Sequence, residues 1–394
     1  GDTVTGEFKP QAAIVSDKAW LGNVGPEKFI QGLVFGYDDS NIAAAVDFRS
    51  FADTSTQYTN AYAIAAEATM KDANEWVEGL EVKGGVSYNL SKNYYKSVAG
   101  VATKAPAIAG IIIDGHEASV DNEIGYSTSV AYKVSLNDKY YVKPMAGFVG
   151  TVAKGEFMSR DFTNVSNEFV ASVLFGWGAQ ADANAGVPFL DGDDAKKVTP
   201  GVSVVFTMPL PTKVTIDSPI GLDKSIYGRD IAKIVPSIYS GDIFDGLKFG
   251  AYSEIILMRD EAEDDSDYIK DACANKDRAT AIAIAAGASY DVKAGDVTIT
   301  TKAGARYANK AYKENNFIDK KDGKEVGLFK DLGYAKDDEG YLNLKIGADI
   351  NGLLDNTTFF VNYTSANLLN EKDYADDYYA VKAGTLNVGA KIHF

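Results

Sequence analysis

Hydrophobic and polar positions alternate with a period of two along most of this chain. In Leu80-Glu81-Val82-Lys83-Gly84-Gly85-Val86-Ser87-Tyr88-Asn89-Leu90 the even positions are apolar or glycine, and the odd ones are Glu, Lys, Gly, Ser and Asn. A period of two puts one row of side chains on each face of a strand, whereas a helix needs a period near 3.6. The pattern returns in Ile124 to Leu136, where Tyr126, Val130, Tyr132 and Val134 share one face and Ser127, Ser129, Lys133 and Ser135 the other. It recurs in Tyr140 to Thr151, Leu247 to Leu257, Val297 to Tyr307, Leu342 to Asn351 and Thr357 to Tyr363. Phe29 to Tyr37, Ile42 to Phe51, Phe169 to Gln180 and Val202 to Phe206 are apolar enough for strands but alternate less cleanly. Two Ala-rich stretches, Asn60 to Met70 and Thr280 to Ala288, have helical propensity. They are read as strands because their neighbours alternate and because Ala283-Ile284-Ala285 fits a thin apolar row.

These segments exceed the usual globular strand of about 5–6 residues and match the roughly 9–11 that a tilted strand needs to cross a bilayer. Their connections come in two lengths. Leu136 to Tyr140, Tyr290 to Asp296 and Asn351 to Asn356 read as short polar turns, whereas Arg259 to Arg278, Asn309 to Gly340 and Ser365 to Asp377 are long and hydrophilic. The expectation is an all-β fold: one closed antiparallel transmembrane β-barrel domain over residues 1–394, with short periplasmic turns and long extracellular loops. At roughly 25 residues per strand with its connection, the length corresponds to about 16 strands, within a range of about 14–18.

Composition narrows the function classes. The chain of 394 residues carries 55 acidic and 39 basic side chains, a formal charge of −16, which argues against nucleic acid as a partner. There is 1 Cys, so no internal disulfide framework exists, and 2 His leave little material for a metal site. No metal or cofactor is expected. Enzymatic activity is not expected either: His393 sits one residue from the end of the given sequence, His116 lies near no nucleophile motif, and no glycine-rich phosphate loop opens a helix. The first residues, Gly1-Asp2-Thr3-Val4-Thr5, show neither a basic nor an apolar leader segment, so either the protein is cytosolic or an export signal has been removed. The longest apolar run, Val98 to Ile113, is broken by Lys104 and Pro106, which excludes a membrane helix there.

The final residues alternate strictly. Leu386, Val388, Ala390, Ile392 and Phe394 are apolar, while Thr385, Asn387, Gly389, Lys391 and His393 are polar or glycine. Asn387-Val388-Gly389-Ala390-Lys391-Ile392-His393-Phe394 resembles the C-terminal signature of bacterial outer-membrane β-barrels, with Asn387, Gly389, Ile392 and the aromatic Phe394 at its characteristic places. That resemblance implies recognition by the barrel-assembly machinery, insertion into an outer-membrane lipid bilayer, and a porin-like barrel. The Tyr-rich strands and the ending Ala383-Gly384-Thr385-Leu386-Asn387-Val388-Gly389-Ala390-Lys391-Ile392-His393-Phe394 are similar to spirochaetal major outer sheath proteins of the treponemal type. Analogy with large porins also implies a homotrimer.

On this reading Glu81, Lys83, Lys133, Lys143, Lys248, Glu254, Lys302, Arg306, Lys345, Asp349 and Lys391 fall on the polar rows and line a pore for ions and small hydrophilic solutes, mildly favouring cations. Residues 104–123 interrupt the pattern. Their acidic half, with Asp114, His116, Glu117, Asp121 and Glu123, is a candidate constriction loop, although an external loop is the preferred reading. The runs Asp260 to Asp267 and Asp191 to Asp194 lack full calcium-loop spacing and read as solvated external loops. Cys273 reads as inert. The alternative function is an adhesin whose long loops bind host molecules while the barrel anchors them.

Overall fold

The alternating segments pair into one large antiparallel sheet. The computed structural model describes residues 29–51, 61–90, 118–157, 160–178, 181–182, 197–217, 221–226, 230–241, 243–258, 280–314, 320–321, 324–325, 340–369 and 384–392. The sheet opens with β1 (Phe29–Asp38), β2 (Ile42–Phe51), β3 (Ala61–Met70) and β4 (Leu80–Leu90). It continues through β5 (Ala118–Tyr132), β6 (Val134–Ser135), β7 (Tyr141–Phe157) and β8 (Arg160–Gly176). A two-residue ribbon, β9 (Ala181–Asp182) with β10 (Lys197–Val198), stands apart. Next come β11 (Gly201–Pro209), β12 (Thr212–Ile216), β13 (Leu222–Ile226) and β14 (Asp230–Tyr239). β15 (Leu247–Met258), β16 (Ala281–Ala294) and β17 (Val297–Asn309) follow, and β17 runs directly into a short helix, α1 (Lys310–Glu314). A second ribbon, β18 (Lys320–Lys321) with β19 (Lys324–Glu325), precedes β20 (Gly340–Leu354), β21 (Thr357–Thr364) and β22 (Thr385–Ile392).

Among the described residues, eighteen segments belong to the main sheet. β6 continues β5 along β7, β12 continues β11 along β8, and β13 continues β14 opposite β12, so fifteen described rows cross it. Each row pairs with its sequence neighbour, a meander from β1 to β22. Among the described residues β1 pairs only with β2, and β22 only with β21. The expected closed ring is therefore not seen there. The fifteen antiparallel rows leave β1 and β22 running the same way, so these two could meet each other only as a parallel pair.

The strand assignments made from alternation hold for most rows, including Ala-rich β3 and β16. Several boundaries differ, three of them by the most. β12, β13 and β14 were not anticipated, because Pro209, Pro211 and Pro236 break the pattern. A proline has no N–H to give the ladder, and Val235 and Pro236 lack registered partners on β15. β8 begins at Arg160 instead of Phe169, extending a hairpin with β7. β5 begins at Ala118 instead of Ile124, because a register shift between Val120 and Asn122 interrupts the alternation.

Directly paired residues point to the same side of an antiparallel sheet, so register shows how the two faces are built. One line of pairs runs Ile42–Met70–Val82–Val130–Ala146–Ala171–Phe206–Ile234–Ile255–Ile282, apolar at every step from β2 to β16. Further along, Ile346 pairs with Tyr363 and Tyr363 with Leu386. Among the described residues nothing covers this face: Phe35 is 68% exposed, Ile346 59% and Val388 71%. The opposite face carries lines such as Lys248–Ser289–Lys302–Gly347–Asn362–Asn387. One polar residue on the apolar face, Asn167, accepts a 2.6 Å hydrogen bond from the Tyr126 hydroxyl, which passes over Gly150.

The two ends of the sheet differ, with exceptions. Residues 39–41, 71–79, 136–140, 240–246, 295–296 and 355–356 turn the chain at one end. Gly295 has φ +64° and Asn356 φ +53°, left-handed conformations that glycine and asparagine tolerate best. Residues 52–60, 91–117, 259–280, 310–339 and 365–384 connect rows at the other end. Connection 177–200, which contains Asp191 to Asp194, leaves from the short-turn end. Those acids themselves lie outside the described residues. At the long-connection end, β7 and β8 are joined by residues 158–159 alone and run 17 residues each.

The 71–79 turn is organised by Asn74, which is 2% exposed. Its Nδ2 donates to the carbonyls of Lys71, Val77 and Leu80, and its Oδ1 accepts from the amides of Trp76 and Val77. Asn74→Ala leaves these buried groups unpaired and should lower stability by roughly 2 kcal/mol, read as a lower urea midpoint in detergent micelles. In the 39–41 turn the Tyr37 hydroxyl (2.6 Å) and the amides of Ile42 and Asn41 (2.7 Å each) donate to Asp39 and hold its carboxyl below the ordinary carboxylate range. A depressed native pKa adds stability above the unfolded value of about 3.9 and loses it as pH falls through the native value. An NMR titration of Asp39 should therefore show a midpoint below that of an unstructured peptide.

Candidate functional site: the charged face of the sheet

All eleven residues expected to line a pore lie on the polar face. β4 supplies Glu81 and Lys83, β7 Lys143, β15 Lys248 and Glu254, β17 Lys302 and Arg306, β20 Lys345 and Asp349, and β22 Lys391. Lys133 sits at the break between β5 and β6, with its Nζ 4.7 Å from the centre of the Tyr141 ring. Their common side follows from the ladder, since each is one step out of phase with the apolar line.

The charges are mostly engaged with each other. Near the short-turn end Glu81 accepts from Lys83 Nζ at 2.7 Å and from Lys143 Nζ at 2.8 Å, and Lys143 also reaches Asp72 at 3.3 Å. Beside them a cavity of about 370 Å³ is lined by Glu67, Lys71, Asp72, Glu81 and Lys83, with Ala43 and Ala45 leaving the space. Further along, Lys302 pairs with Asp349, and the Thr300 hydroxyl donates to Asp291 at 2.6 Å. At the long-connection end Lys233 Nζ lies 3.0 Å from Glu254, which also accepts from the hydroxyls of Tyr252 (2.6 Å) and Tyr312 (2.7 Å). Arg306 donates through Nε to Asn343 at 3.2 Å and lies 5.6 Å from the centre of the Tyr341 ring.

Two residues of the candidate constriction loop lie in a strand. Asp121 and Glu123 are in strand β5, with Glu123 opposite Asn89 on the polar face, because the strand starts before the alternation becomes clean. Asp114, His116 and Glu117 lie outside the described residues, as do Cys273 and Asp260 to Asp267. Asn387, Gly389 and Ile392 lie in β22, and Phe394 is outside the described residues. A Cβ on Gly389 would stand 2.8 Å from the Phe360 ring, so the aromatic on the neighbouring strand covers the glycine. Sequence reasoning missed Glu67, Asp72, Lys233, Tyr252 and Tyr312. Lys233 is in the proline-broken strand, and Tyr312 falls in a stretch read only as a loop.

Chemically, this is a broad wet surface of both signs. Among the described residues no group of three or more His, Cys, Asp or Glu side chains is placed to hold a metal ion. Among them too, no helix is long and apolar enough to cross a membrane. Such a surface can pass, orient or screen hydrated solutes.

No protein-family model and no curated protein matches this chain. Among solved structures, the unliganded ferric citrate transporter FecA is similar over 84% of this chain and 55% of its own, at 11% identity and a TM-score of 0.33. The alcaligin outer membrane receptor FauA from Bordetella pertussis is similar over 91% of this chain and 55% of its own, at 8% identity and a TM-score of 0.31. Neither bears the name of a porin or a spirochaetal sheath protein. The chain spans about half the length of these solved structures.

Proposed function

We propose that this chain is an outer-membrane porin: the sheet closes into a ring, its apolar face meets lipid, and its charged face surrounds a water-filled lumen. Ions and small hydrophilic solutes diffuse through it down their gradients. The observation that carries this reading is the apolar line that passes unbroken through ten paired rows on an uncovered face. In water such a surface is an aggregation liability, while in lipid it is the required one. The line on β16 from Ile282 to Val292 rises about 34 Å along the strand, or about 26 Å along the membrane normal at a tilt near 40°, close to the apolar band of outer-membrane barrels. Exposed Tyr37, Tyr132, Phe175 and Tyr290, near the short-turn end, fit an interfacial aromatic girdle.

Closure follows from the same solvent. An unpaired strand edge in lipid costs several kcal/mol per orphaned group, and a strand antiparallel to both β1 and β22 would complete an even-numbered ring of sixteen. Because most lumenal charges are paired within the wall, selectivity is weak, and the surplus of acids in the chain tilts it toward cations.

Purified protein in planar bilayers should give stepwise, salt-dependent conductance with a small cation preference. Total absence of steps from folded protein would count against the reading. Lys302→Ala leaves Asp349 without this partner and should move the reversal potential further toward cations, whereas Asp349→Asn should move it toward anions. Closure is tested in a Cys273→Ser background with one cysteine in β1 and one in β22. A linker of about 10 Å should join them and a direct disulfide should not, since two interstrand steps of about 4.8 Å separate them. A direct disulfide would instead mean a parallel seam between fifteen rows.

A further inference from the structure

At the long-connection end one connection returns to the polar face as soon as it leaves its strand. Asn309, the last residue of β17, accepts on Oδ1 from the amides of Tyr312 (2.9 Å) and Ile282 (3.0 Å), and its Nδ2 donates to the Thr280 carbonyl (2.7 Å). One side chain thus ties the turn of α1 to the start of β16. Ala311 and Tyr312 are 1% and 2% exposed, packed in one cluster with Ile256, Met258, Ala281, Ala283, Ala308 and Tyr341. The strand members of that cluster all belong to the polar face, so α1 lies over the inner wall. The Tyr312 hydroxyl donates at 2.7 Å to Glu254 Oε2, while Oε1 accepts from Tyr252 and Lys233. A carboxylate on a bare wet wall needs none of this, because water would solvate it. Here hydroxyls and an ammonium replace that water, beneath a buried ring.

We propose that Glu254 and Tyr312 form a latch that holds α1 against the lumenal wall, so that this turn occupies part of the pore's cross-section and sets the upper size of the solutes admitted. The proposal rests on the porin reading for its consequence, though the latch itself is a contact that can be tested without transport. The apolar cluster gives the turn a dry seat in an otherwise wet lumen, and the carboxylate fixes its orientation. Losing a hydrogen bond to a charged group shifts the ratio of latched to released turn by about tenfold.

The test uses the full chain and the variants Tyr312→Phe, Tyr312→Ala and Glu254→Gln, with Lys213→Ala as a control on the projecting β12. Two readouts are taken. Trypsin cleavage after Lys310 and Lys313, mapped by mass spectrometry on folded protein in micelles, should accelerate in the order Tyr312→Phe then Tyr312→Ala, with Glu254→Gln also faster than the parent and the control unchanged. In planar bilayers and in swelling of liposomes in sugars of increasing size, Tyr312→Ala should raise conductance and admit larger sugars. Unchanged cleavage in Tyr312→Ala and Glu254→Gln overturns the latch whatever the conductance. Faster cleavage with unaltered conductance and size limit overturns the size-setting role. A parent protein that conducts nothing, yet shows the cleavage order, defeats the porin reading and leaves the contact standing.

Discussion

In an antiparallel ladder two directly opposed residues send their side chains to the same side, and every row of this protein is bound by that constraint. Once Val82 faces the apolar side, its partners Met70 and Val130 must do so as well, and the condition passes from strand to strand. A slip of one residue in a single row would exchange its two faces. In β17 that would send Lys302 and Arg306 to the side of Ile282 and Ile346. On the proposed lipid-facing side each such basic charge would cost about 2–4 kcal/mol near the midplane, so register is specified many times over. Asn167 shows the tolerance: one amide on the apolar side is kept by a single tyrosine hydroxyl that reaches across a glycine.

The charged face obeys a different economy. Glu81 has two lysines, Glu254 a lysine and two tyrosines, and Lys302 an aspartate, some from the same strand and others from other strands or a connection. For each of these carboxylates, protein donors take the place of some of the water that would otherwise solvate it. The groups that do this sit at both ends of the sheet and in its middle, which spreads small opposite charges across the polar face instead of concentrating one sign.

Much of this was legible along the chain, because alternation is a local signal. Leu80 to Leu90 and Ile42 to Phe51 could be bounded to the residue. The Ala-rich β3 and β16 were readable only through their neighbours, since alanine alone points to helix. Strands β12 to β14 were hidden by prolines, and the start of β5 by a bulge, both of which erase the period without erasing the strand. For the site, the polar-row charges followed from parity. Their partners did not: Glu254 and Tyr312 are 58 residues apart, and no spacing rule links a strand carboxylate to a tyrosine in a distant connection.

The Phe360 ring that roofs Gly389 has a bearing on how the terminal hairpin finds its alignment. Sliding β22 against β21 by two residues would bring Asn387 or Lys391 beneath the ring, and either has a Cβ where Gly389 leaves room. The correct match is thus written into two adjacent strands, where a ring on one leaves room only for the residue without a side chain on the other.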